Sequence, residues 1–285
     1  MNKVLIIGAS GFLGQQLMKD LSKSFTVIGT YNSKPKDNLL KLDITNEDGV
    51  KVVLEKTKPD IILLASALTN LDTCELQPDL CKKINVLGVE NIVKYSKNSK
   101  IVFLSTDYVF DGEKGDYKET DLVNPINEYG KSKLEAEKIV SRLKNYLIIR
   151  TCSLYTSDKN NPKAVNKIIE KLTKGEVVKA VTDVIASPTL IDDLSKAILT
   201  LIEKKRNGIY NVVGDSKLSW YEIANLIVKV FNIKNPQIQP CLITDFPSKL
   251  KRPKNTSLNI GKLKAEAIKM RSLEEGLEFL KRIKS

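Results

Sequence analysis

The sequence predicts an α/β fold in which helices cover both faces of a parallel β-sheet, followed by a smaller α+β cap. Short apolar runs without polar alternation recur through the first two thirds of the chain, and amphipathic patterns fit between most of them. Such runs are typical of strands that are buried on both faces. The pattern GASGFLG at 8–14 separates the first run from the first helix, and the alternation loosens after Arg150. Together these observations indicate a doubly wound, Rossmann-type domain with a C-terminal cap.

The individual elements follow from apolar runs for the strands and from amphipathic periodicity for the helices. Strands are predicted at 3–10, 25–31, 39–43, 60–66, 100–106, 146–151, 177–181 and 208–214. Helices are predicted at 11–22, 46–57, 77–98, 128–143, 162–174, 190–204 and 219–231, with two short helices at the C-terminus.

The chain is expected to divide into two interleaved parts. Residues 1–152 plus about 184–214 should form the Rossmann domain, and about 153–183 plus 215–285 should form the cap. In doubly wound folds, ligands bind at the carboxyl edge of the sheet. We therefore expect the cap to close over that edge and to bind the substrate.

Composition excludes several classes of function. The 285 residues include no histidine, which removes Ser-His-Asp and Cys-His catalysis and histidine-based metal sites. The four cysteines have no paired metal-ligand spacing, so we expect reduced thiols and no metal site. No stretch approaches the roughly 18 apolar residues needed to span a bilayer, so we expect a cytoplasmic protein without a membrane partner.

The net charge of +12 raises the question of nucleic-acid binding. The lysines are scattered along nearly every segment, with no long basic tract and little aromatic interleaving. We therefore expect no nucleic-acid partner. A basic surface also favours a small anionic ligand such as a nucleotide.

The glycines of the first turn predict dinucleotide binding. Gly8 permits a tight turn, Gly11 lets the backbone approach a pyrophosphate, and Gly14 lets helix and strand pack closely. The phosphates would then lie at the helix N-terminus. The position of this pattern between a strand and a helix makes it much more specific than glycines alone.

The end of the second strand favours NADPH as the cofactor, with NADH as the alternative. An NAD site usually offers a carboxylate there to the ribose 2′-hydroxyl, whereas the 2′-phosphate of NADP favours cations. The segment GTYNSKPK has no carboxylate before Asp37 and places Lys34 and Lys36 nearby. We assign Asn32 and Lys34 to the cofactor site. The competing interpretation is that these lysines only reflect the general lysine excess.

Two further segments carry candidate catalytic residues. FLSTDYVFDG at 103–112 ends the fifth strand, so Thr106 and Asp107 should face the cofactor, where a hydroxyl can bind a carbonyl oxygen that is being reduced. NEYGKSK at 127–133 places Tyr129 and Lys133 on one helical face. A phenol titrates near 10 and needs a pKa shift of about 3 units to exchange protons near neutrality. A neighbouring ammonium favours that shift, whereas burial opposes it.

The glycine pattern, STDYVFDG, YGKSK and the later RPKNTSLN together resemble the extended short-chain dehydrogenase/reductases, and within them the dTDP-4-dehydrorhamnose reductases. The resemblance covers nearly the whole chain. It implies NADPH-dependent reduction of the 4-keto group of a deoxysugar linked to a nucleotide diphosphate. It implies that Tyr129 donates the proton, and that Lys133 lowers the pKa of Tyr129 and holds the nicotinamide ribose. The other implied contacts are Gly11, Phe12 and Leu13 with the pyrophosphate, Asp43 and Ile44 with the adenine, Ala65, Ser66 and Ala67 with the cofactor beside strand four, and Thr106 and Asp107 with the sugar.

One arginine is a candidate for the substrate's diphosphate. Arg252 is one of few arginines in a lysine-rich chain, and a guanidinium suits bidentate phosphate contact. The competing interpretation is a surface arginine beside a helix.

Three departures from the family pattern leave alternatives open. Ser153 stands where many members carry a tryptophan that packs on the sugar. Gln16 and Asp192 stand where family members that dimerise through a bridging metal use glutamates, so a homodimer of this chain would have to form without the metal bridge. CSLYT and RPKNTSLN also resemble the methionine adenosyltransferase β-subunit, which makes an NADP-binding regulatory subunit the main alternative. A sugar-nucleotide dehydratase is a weaker one, because Tyr108 rather than an acidic residue follows Asp107.

Overall fold

The computed structural model describes residues 2–158, 163–246 and 250–283. The strands are Lys3–Ile7 (β1), Thr26–Tyr31 (β2), Leu39–Lys41 (β3), Ile61–Leu64 (β4), Lys100–Thr106 (β5), Tyr146–Thr151 (β6), Leu154–Tyr155 (β7), Val178–Val181 (β8), Ile185–Ala186 (β9), Thr189–Leu190 (β10), Gly208–Asn211 (β11), Leu218–Ser219 (β12) and Ile238–Cys241 (β13). Seven of them form one parallel sheet in the order β11-β6-β5-β4-β1-β2-β3. The predicted doubly wound fold is confirmed.

The helices cover both faces of this sheet and also pack around a smaller third core. The α-helices are Phe12–Leu21 (α1), Glu47–Thr57 (α2), Leu71–Leu76 (α3), Pro78–Lys82 (α4), Gly88–Tyr95 (α5), Glu128–Val140 (α6), Ala164–Thr173 (α7), Ile191–Glu203 (α8), Trp220–Phe231 (α9), Gly261–Ala265 (α10) and Leu273–Arg282 (α11). A π-helical turn, Lys83–Leu87, joins α4 to α5.

Alternate residues of each central strand enter different cores. In β1, Val4 and Ile6 pack towards α1 and α8, whereas Leu5 and Ile7 pack towards α2, α5 and α6. This is the two-residue period of a strand applied to a sheet that is buried on both faces. It explains why the sequence shows continuous apolar runs here and not polar alternation.

The strand order reverses between β1 and β4. From β1 the chain builds β2 and β3 on one side, and then crosses to β4, β5 and β6 on the other. The carboxyl ends of β1 and β4 therefore flank a switch point, which is where doubly wound folds bind ligands.

A third core belongs to the predicted cap. Tyr155, Val165 and Ile169 pack there with apolar residues of α9 and α11, beside the short parallel pair β8 and β13. Part of the sequence assigned to the cap does not pack in this third core. Apolar residues from Leu258 to Met270 belong instead to the core on the α1 and α8 face of the sheet. The proposed domain division stays a prediction.

Several local elements differ from the sequence prediction. The single helix expected at 77–98 is interrupted by the π-helical turn, and the preceding helix α3 was not predicted. The five short strands β7, β9, β10, β12 and β13 were also missed, because two to four residues give too short a pattern to detect. Residue 162, the expected start of a helix, lies outside the described residues, and α7 begins at Ala164. Within the described part of the chain, no helix combines the length and the apolar character needed to cross a membrane.

Candidate active site

The glycine turn forms a cradle at the end of β1. Gly8 has a φ of +88°, in the left-handed region that favours glycine. The N–H of Gly11 donates to the carbonyl oxygen of Gly8 at 3.0 Å. A Cβ at Gly14 would collide with that same oxygen, so the close approach of α1 to the turn requires glycine. No side chain of the described residues caps α1, and its first N–H groups remain available to an anion.

The cradle opens into a cavity of about 530 Å³ at the carboxyl edge of the sheet. Twelve of the residues that the sequence assigned to cofactor or substrate line this one cavity. They are Gly11, Phe12, Leu13, Gly14, Ala65, Ser66, Ala67, Thr106, Asp107, Tyr129, Lys133 and Ser153. The structure thus brings together segments that lie more than one hundred residues apart in the chain.

The end of β5 supplies a hydrogen-bonded threonine and aspartate. The Thr106 hydroxyl donates to Asp107 Oδ1 at 2.9 Å and accepts from the Tyr108 N–H at 3.2 Å. Asp107 Oδ2 accepts a hydrogen bond from Thr256. Burial raises the pKa of the Asp107 carboxyl to about 6, although the hydrogen bonds from Thr256 and Thr106 oppose this shift.

Helix α6 places Tyr129 and Lys133 in the same cavity lining, next to the end of β5. Its N-cap, Asn127, accepts a hydrogen bond from the Gly130 N–H at 2.9 Å, which fixes the first turn. A side chain at Gly130 would collide with the Tyr108 carbonyl oxygen, so this turn lies directly against the end of β5. The Tyr129 and Tyr108 rings make an edge contact with centroids 6.1 Å apart.

Burial shifts the pKa values of the two candidate catalytic groups, Tyr129 and Lys133, in opposite directions. Burial raises the pKa of the Tyr129 hydroxyl, which therefore stays protonated at neutral pH. Burial lowers the pKa of the Lys133 ammonium to about 7, although the charge of Glu137 opposes this shift. Lys133 is 3% exposed, and its Nζ lies 4.0 Å from the centroid of the Phe103 ring.

Two buried contacts that sequence reasoning missed support α6. Ser132 Oγ donates to the Tyr129 carbonyl oxygen at 2.7 Å and accepts from Asn85 Nδ2 at 3.0 Å. Asn85 also accepts from the Leu68 N–H at 2.8 Å, so it ties the loop after β4 to α6. Asn85 lies in the π-helical turn, and interruptions of this kind are frequent at functional sites.

A buried ion pair lies one helical turn beyond Lys133. Arg150 Nε and Nη2 donate to the two Glu137 carboxylate oxygens at 3.0 Å and 2.7 Å. Both side chains are almost fully buried. This bidentate pair joins α6 to β6. It therefore fixes the orientation of α6, and with it the direction in which Tyr129 and Lys133 face.

Two hydroxyls of the lining have no partner among the described residues. Ser105 Oγ and Thr151 Oγ1 are buried and make no hydrogen bond there, and both residues line the cavity. Unpaired buried hydroxyls are uncommon in proteins. Together with the glycine cradle, they fit a polar ligand in this cavity.

The other residues assigned from sequence lie outside this lining. Gly8 forms the back of the cradle, where a Cβ would come within 3.0 Å of the Ser66 nitrogen. Asn32 and Lys34 are exposed just beyond β2. Asp43 Oδ1 accepts from the Thr45 N–H at 2.9 Å, and Ile44 is buried in the core, where it packs against Gly88 of α5.

Arg252 lines a second cavity of about 810 Å³ beside the third core. Tyr108 belongs to the linings of both cavities, so the two adjoin at this residue. Burial raises the pKa of the Tyr108 hydroxyl, and the charge of Arg252 opposes that shift. Trp220 and Phe246 give this second cavity aromatic walls.

Ser153 lines the cavity beside the glycine cradle and has a φ of +46°. The left-handed region is uncommon for residues other than glycine, asparagine and aspartate. The backbone of the cavity wall is therefore strained at Ser153, the position where many family members carry a tryptophan.

The family model described as RmlD substrate binding domain matches residues 1–284. The chain belongs to the RmlD family. A dTDP-4-dehydrorhamnose reductase of Aggregatibacter actinomycetemcomitans is 34% identical, over 92% of this chain and 92% of its own length. The crystal structure of dTDP-4-dehydrorhamnose reductase from Bacillus anthracis in complex with NADP is 34% identical, covers 100% of this chain and 99% of its own, and has a TM-score of 0.89. Methionine adenosyltransferase 2 subunit beta of Xenopus laevis is 29% identical over 95% of this chain and 84% of its own length. The family recognised from the sequence motifs is thus confirmed.

Proposed function

We propose that this RmlD-family protein is an NADPH-dependent reductase of the 4-keto group of a nucleotide-linked deoxysugar, converting dTDP-4-dehydrorhamnose to dTDP-L-rhamnose. One observation carries the proposal: Thr106, Tyr129 and Lys133 line the same cavity as the glycine cradle. The reductase names of the relatives in Aggregatibacter actinomycetemcomitans and Bacillus anthracis support it.

The cofactor would lie with its diphosphate on the N-terminus of α1, near Gly11, Phe12 and Leu13. When bound, it supplies a hydride to the carbonyl carbon of the sugar. Tyr129 gives its phenolic proton to the carbonyl oxygen, so that an alcohol and a phenolate result. The ammonium form of Lys133 stabilises this phenolate.

The protonation states support this division of roles. The raised pKa of Tyr129 keeps the donor proton in place before the reaction. The Lys133 pKa of about 7 leaves a large fraction of ammonium at neutral pH. Thr106 is held by its bonds to Asp107 and to the Tyr108 N–H, and so offers a fixed polar contact for the sugar.

The substrate would extend from this cavity into the one lined by Arg252. Its diphosphate would contact Arg252, and its sugar would contact Thr106, Asp107 and Ser153. We propose Asn32 and Lys34 as neighbours of the cofactor's 2′-phosphate, and Asp43 and Ile44 as neighbours of its adenine. A cytoplasmic location and a homodimer without a metal bridge complete the proposal.

The test measures NADPH oxidation, as the loss of NADPH absorbance, with each member of a panel of nucleotide-linked 4-keto sugars. Turnover that is fastest with dTDP-4-dehydrorhamnose supports the proposal, and no turnover with any member contradicts it. The second candidate is an NADP-binding regulatory subunit, which the 29% identity to the Xenopus laevis β-subunit favours. NADP binding without turnover, together with copurification of a methionine adenosyltransferase, would favour this second candidate.

A further inference from the structure

Lys163 brings a cation from the cap to the wall of the catalytic cavity. It is the N-cap residue of α7 and lines the cavity together with Gly11 and Phe12. Its Nζ lies 4.6 Å from the centroid of the Phe12 ring. Phe12 is the first residue of α1, directly beside the glycine cradle. Lys163 therefore spans the opening between the cap and the turn that we propose for the cofactor's diphosphate.

The Lys163 ammonium has no acidic partner in the described part of the chain. None of the ion pairs found there involves Lys163, and the face of the Phe12 ring is the contact that its Nζ makes. Burial lowers the pKa of Lys163, and the charge of Lys167 lowers it further. Lys163 is partly exposed at the rim of the cavity, and an unpaired ammonium there can make a charge-assisted hydrogen bond to an anion within reach.

The surroundings of Lys163 are also positive. Neither α1 nor α7 carries an acidic residue in its first turn, and both helices begin at the cavity. Lysine is unusual at an N-cap, where its charge adds to the positive end of the helix dipole. Lys133 adds a second ammonium, and Asp107, the one carboxylate among the described lining residues, is already hydrogen-bonded to two threonines.

We infer that Lys163 binds the diphosphate of a ligand in the catalytic cavity. The contact with Phe12 favours the diphosphate of the cofactor over that of the nucleotide sugar. The inference rests on the proposed function, which supplies both ligands. Lys163 belongs to the predicted cap. A cofactor bound to both Lys163 and the glycine cradle would therefore connect the cap to the sheet.

Binding of NADP⁺ and of dTDP-glucose, each measured alone by calorimetry, tests the inference without requiring turnover. Lys163→Met should weaken NADP⁺ binding about tenfold and make it less sensitive to salt, since one screened attraction is lost. Lys163→Arg should stay within about threefold of the parent because it keeps the cation. Lys167→Met, one turn along the same exposed helix face, is the matched control and should change neither affinity by more than about twofold. Thermal unfolding checks that each variant is folded.

The outcomes separate the sources of the diphosphate. If NADP⁺ affinity is unchanged but dTDP-glucose binds about tenfold more weakly, Lys163 serves the sugar nucleotide instead, and it remains a diphosphate ligand. If Lys163→Met alters neither affinity, the inference is wrong. A protein whose NADP⁺ affinity depends on Lys163 but which reduces no 4-keto sugar would contradict the proposed reaction and leave this inference standing.

Discussion

Thr256 donates a hydrogen bond to the buried carboxylate of Asp107, and so ties the C-terminal segment to the end of β5. The other carboxylate oxygen accepts from Thr106 at 2.9 Å. Asp107 is 4% exposed, and burial raises its pKa to about 6. At neutral pH the carboxylate is therefore ionised, at a cost to the stability of the folded state.

Asp107→Asn should consequently stabilise the protein at neutral pH. Because the folded-state pKa lies above the unfolded value of 3.8, the folded state binds more protons between 3.8 and about 6, and this group's contribution to stability falls as the pH rises through that window. The shift corresponds to about 3 kcal/mol at most. We expect the variant to gain about 1–3 kcal/mol in free energy of unfolding at pH 8 and little at pH 4, measured by urea denaturation. A variant that is less stable at pH 8 would show that the threonine hydrogen bonds outweigh the cost of the buried charge.

Tyr129→Phe should abolish most of the turnover while leaving the cavity intact. The substitution keeps the ring and its edge contact with Tyr108, but it removes the proton donor. We expect kcat to fall by about a hundredfold or more, the usual contribution of a positioned acid. NADP⁺ affinity, measured by calorimetry, should change little and serves as the control. Unchanged turnover would refute the assignment of Tyr129 as the acid.

The lowered pKa of Lys133 predicts how kcat/KM depends on pH. This ratio reports the ionisation of groups in the free enzyme, where the fraction of Lys133 ammonium falls as the pH rises through about 7. We expect kcat/KM to decrease up to about tenfold per pH unit above that value, because the phenolate of Tyr129 loses its stabilising charge. The exposed Lys138 lies on the same helix, and Lys138→Ala should keep the same profile. A flat profile between pH 6.5 and 9 is the result that would exclude this role.

Much of this site could be predicted from sequence because it depends on local patterns. The apolar runs of β1, β4 and β5 identify buried parallel strands, whose carboxyl ends must share one edge of the sheet. The residues that follow those strands therefore had to converge. Tyr129 and Lys133 joined them because a spacing of four residues fixes a common helical face.

The unpredicted features depend on contacts between distant parts of the chain. Thr256 reaches Asp107 across 149 residues, and Asn85 reaches Ser132 across 47. No local periodicity encodes such pairs. Lys163 escaped notice for a related reason, since one lysine in a lysine-rich chain carries no signal until the fold places it above Phe12.

The end of β2 predicts a preference for NADPH over NADH. It carries no carboxylate to bind a ribose 2′-hydroxyl, and Lys34 lies exposed nearby. Lys36 donates to Gln15 Oε1 at 2.9 Å, which places a second ammonium beside α1. We expect NADPH to bind about tenfold or more tightly than NADH, because each charged contact contributes roughly 1.5–3 kcal/mol at best and less when exposed. Lys34→Ala should reduce the difference in affinity between NADPH and NADH. Lys41→Ala, at the exposed end of β3, should leave that difference unchanged. Equal dissociation constants for the two cofactors in the parent protein would overturn the prediction.

Arg252 should act on the nucleotide sugar and not on the cofactor. It lines the second cavity, which adjoins the first cavity, beside the glycine cradle, at Tyr108. Arg252→Lys keeps the charge but loses the planar fork that binds a diphosphate with two parallel hydrogen bonds. We therefore expect KM for dTDP-4-dehydrorhamnose to rise about tenfold, with NADPH affinity unchanged. The exposed neighbour Lys251 offers a control, since Lys251→Ala removes a charge from the same segment and should leave KM within about twofold. A silent Arg252→Lys variant would mean that the arginine is only a surface residue. If, in addition, no nucleotide sugar raised the melting temperature of the protein, the regulatory-subunit candidate would become the better explanation of the site.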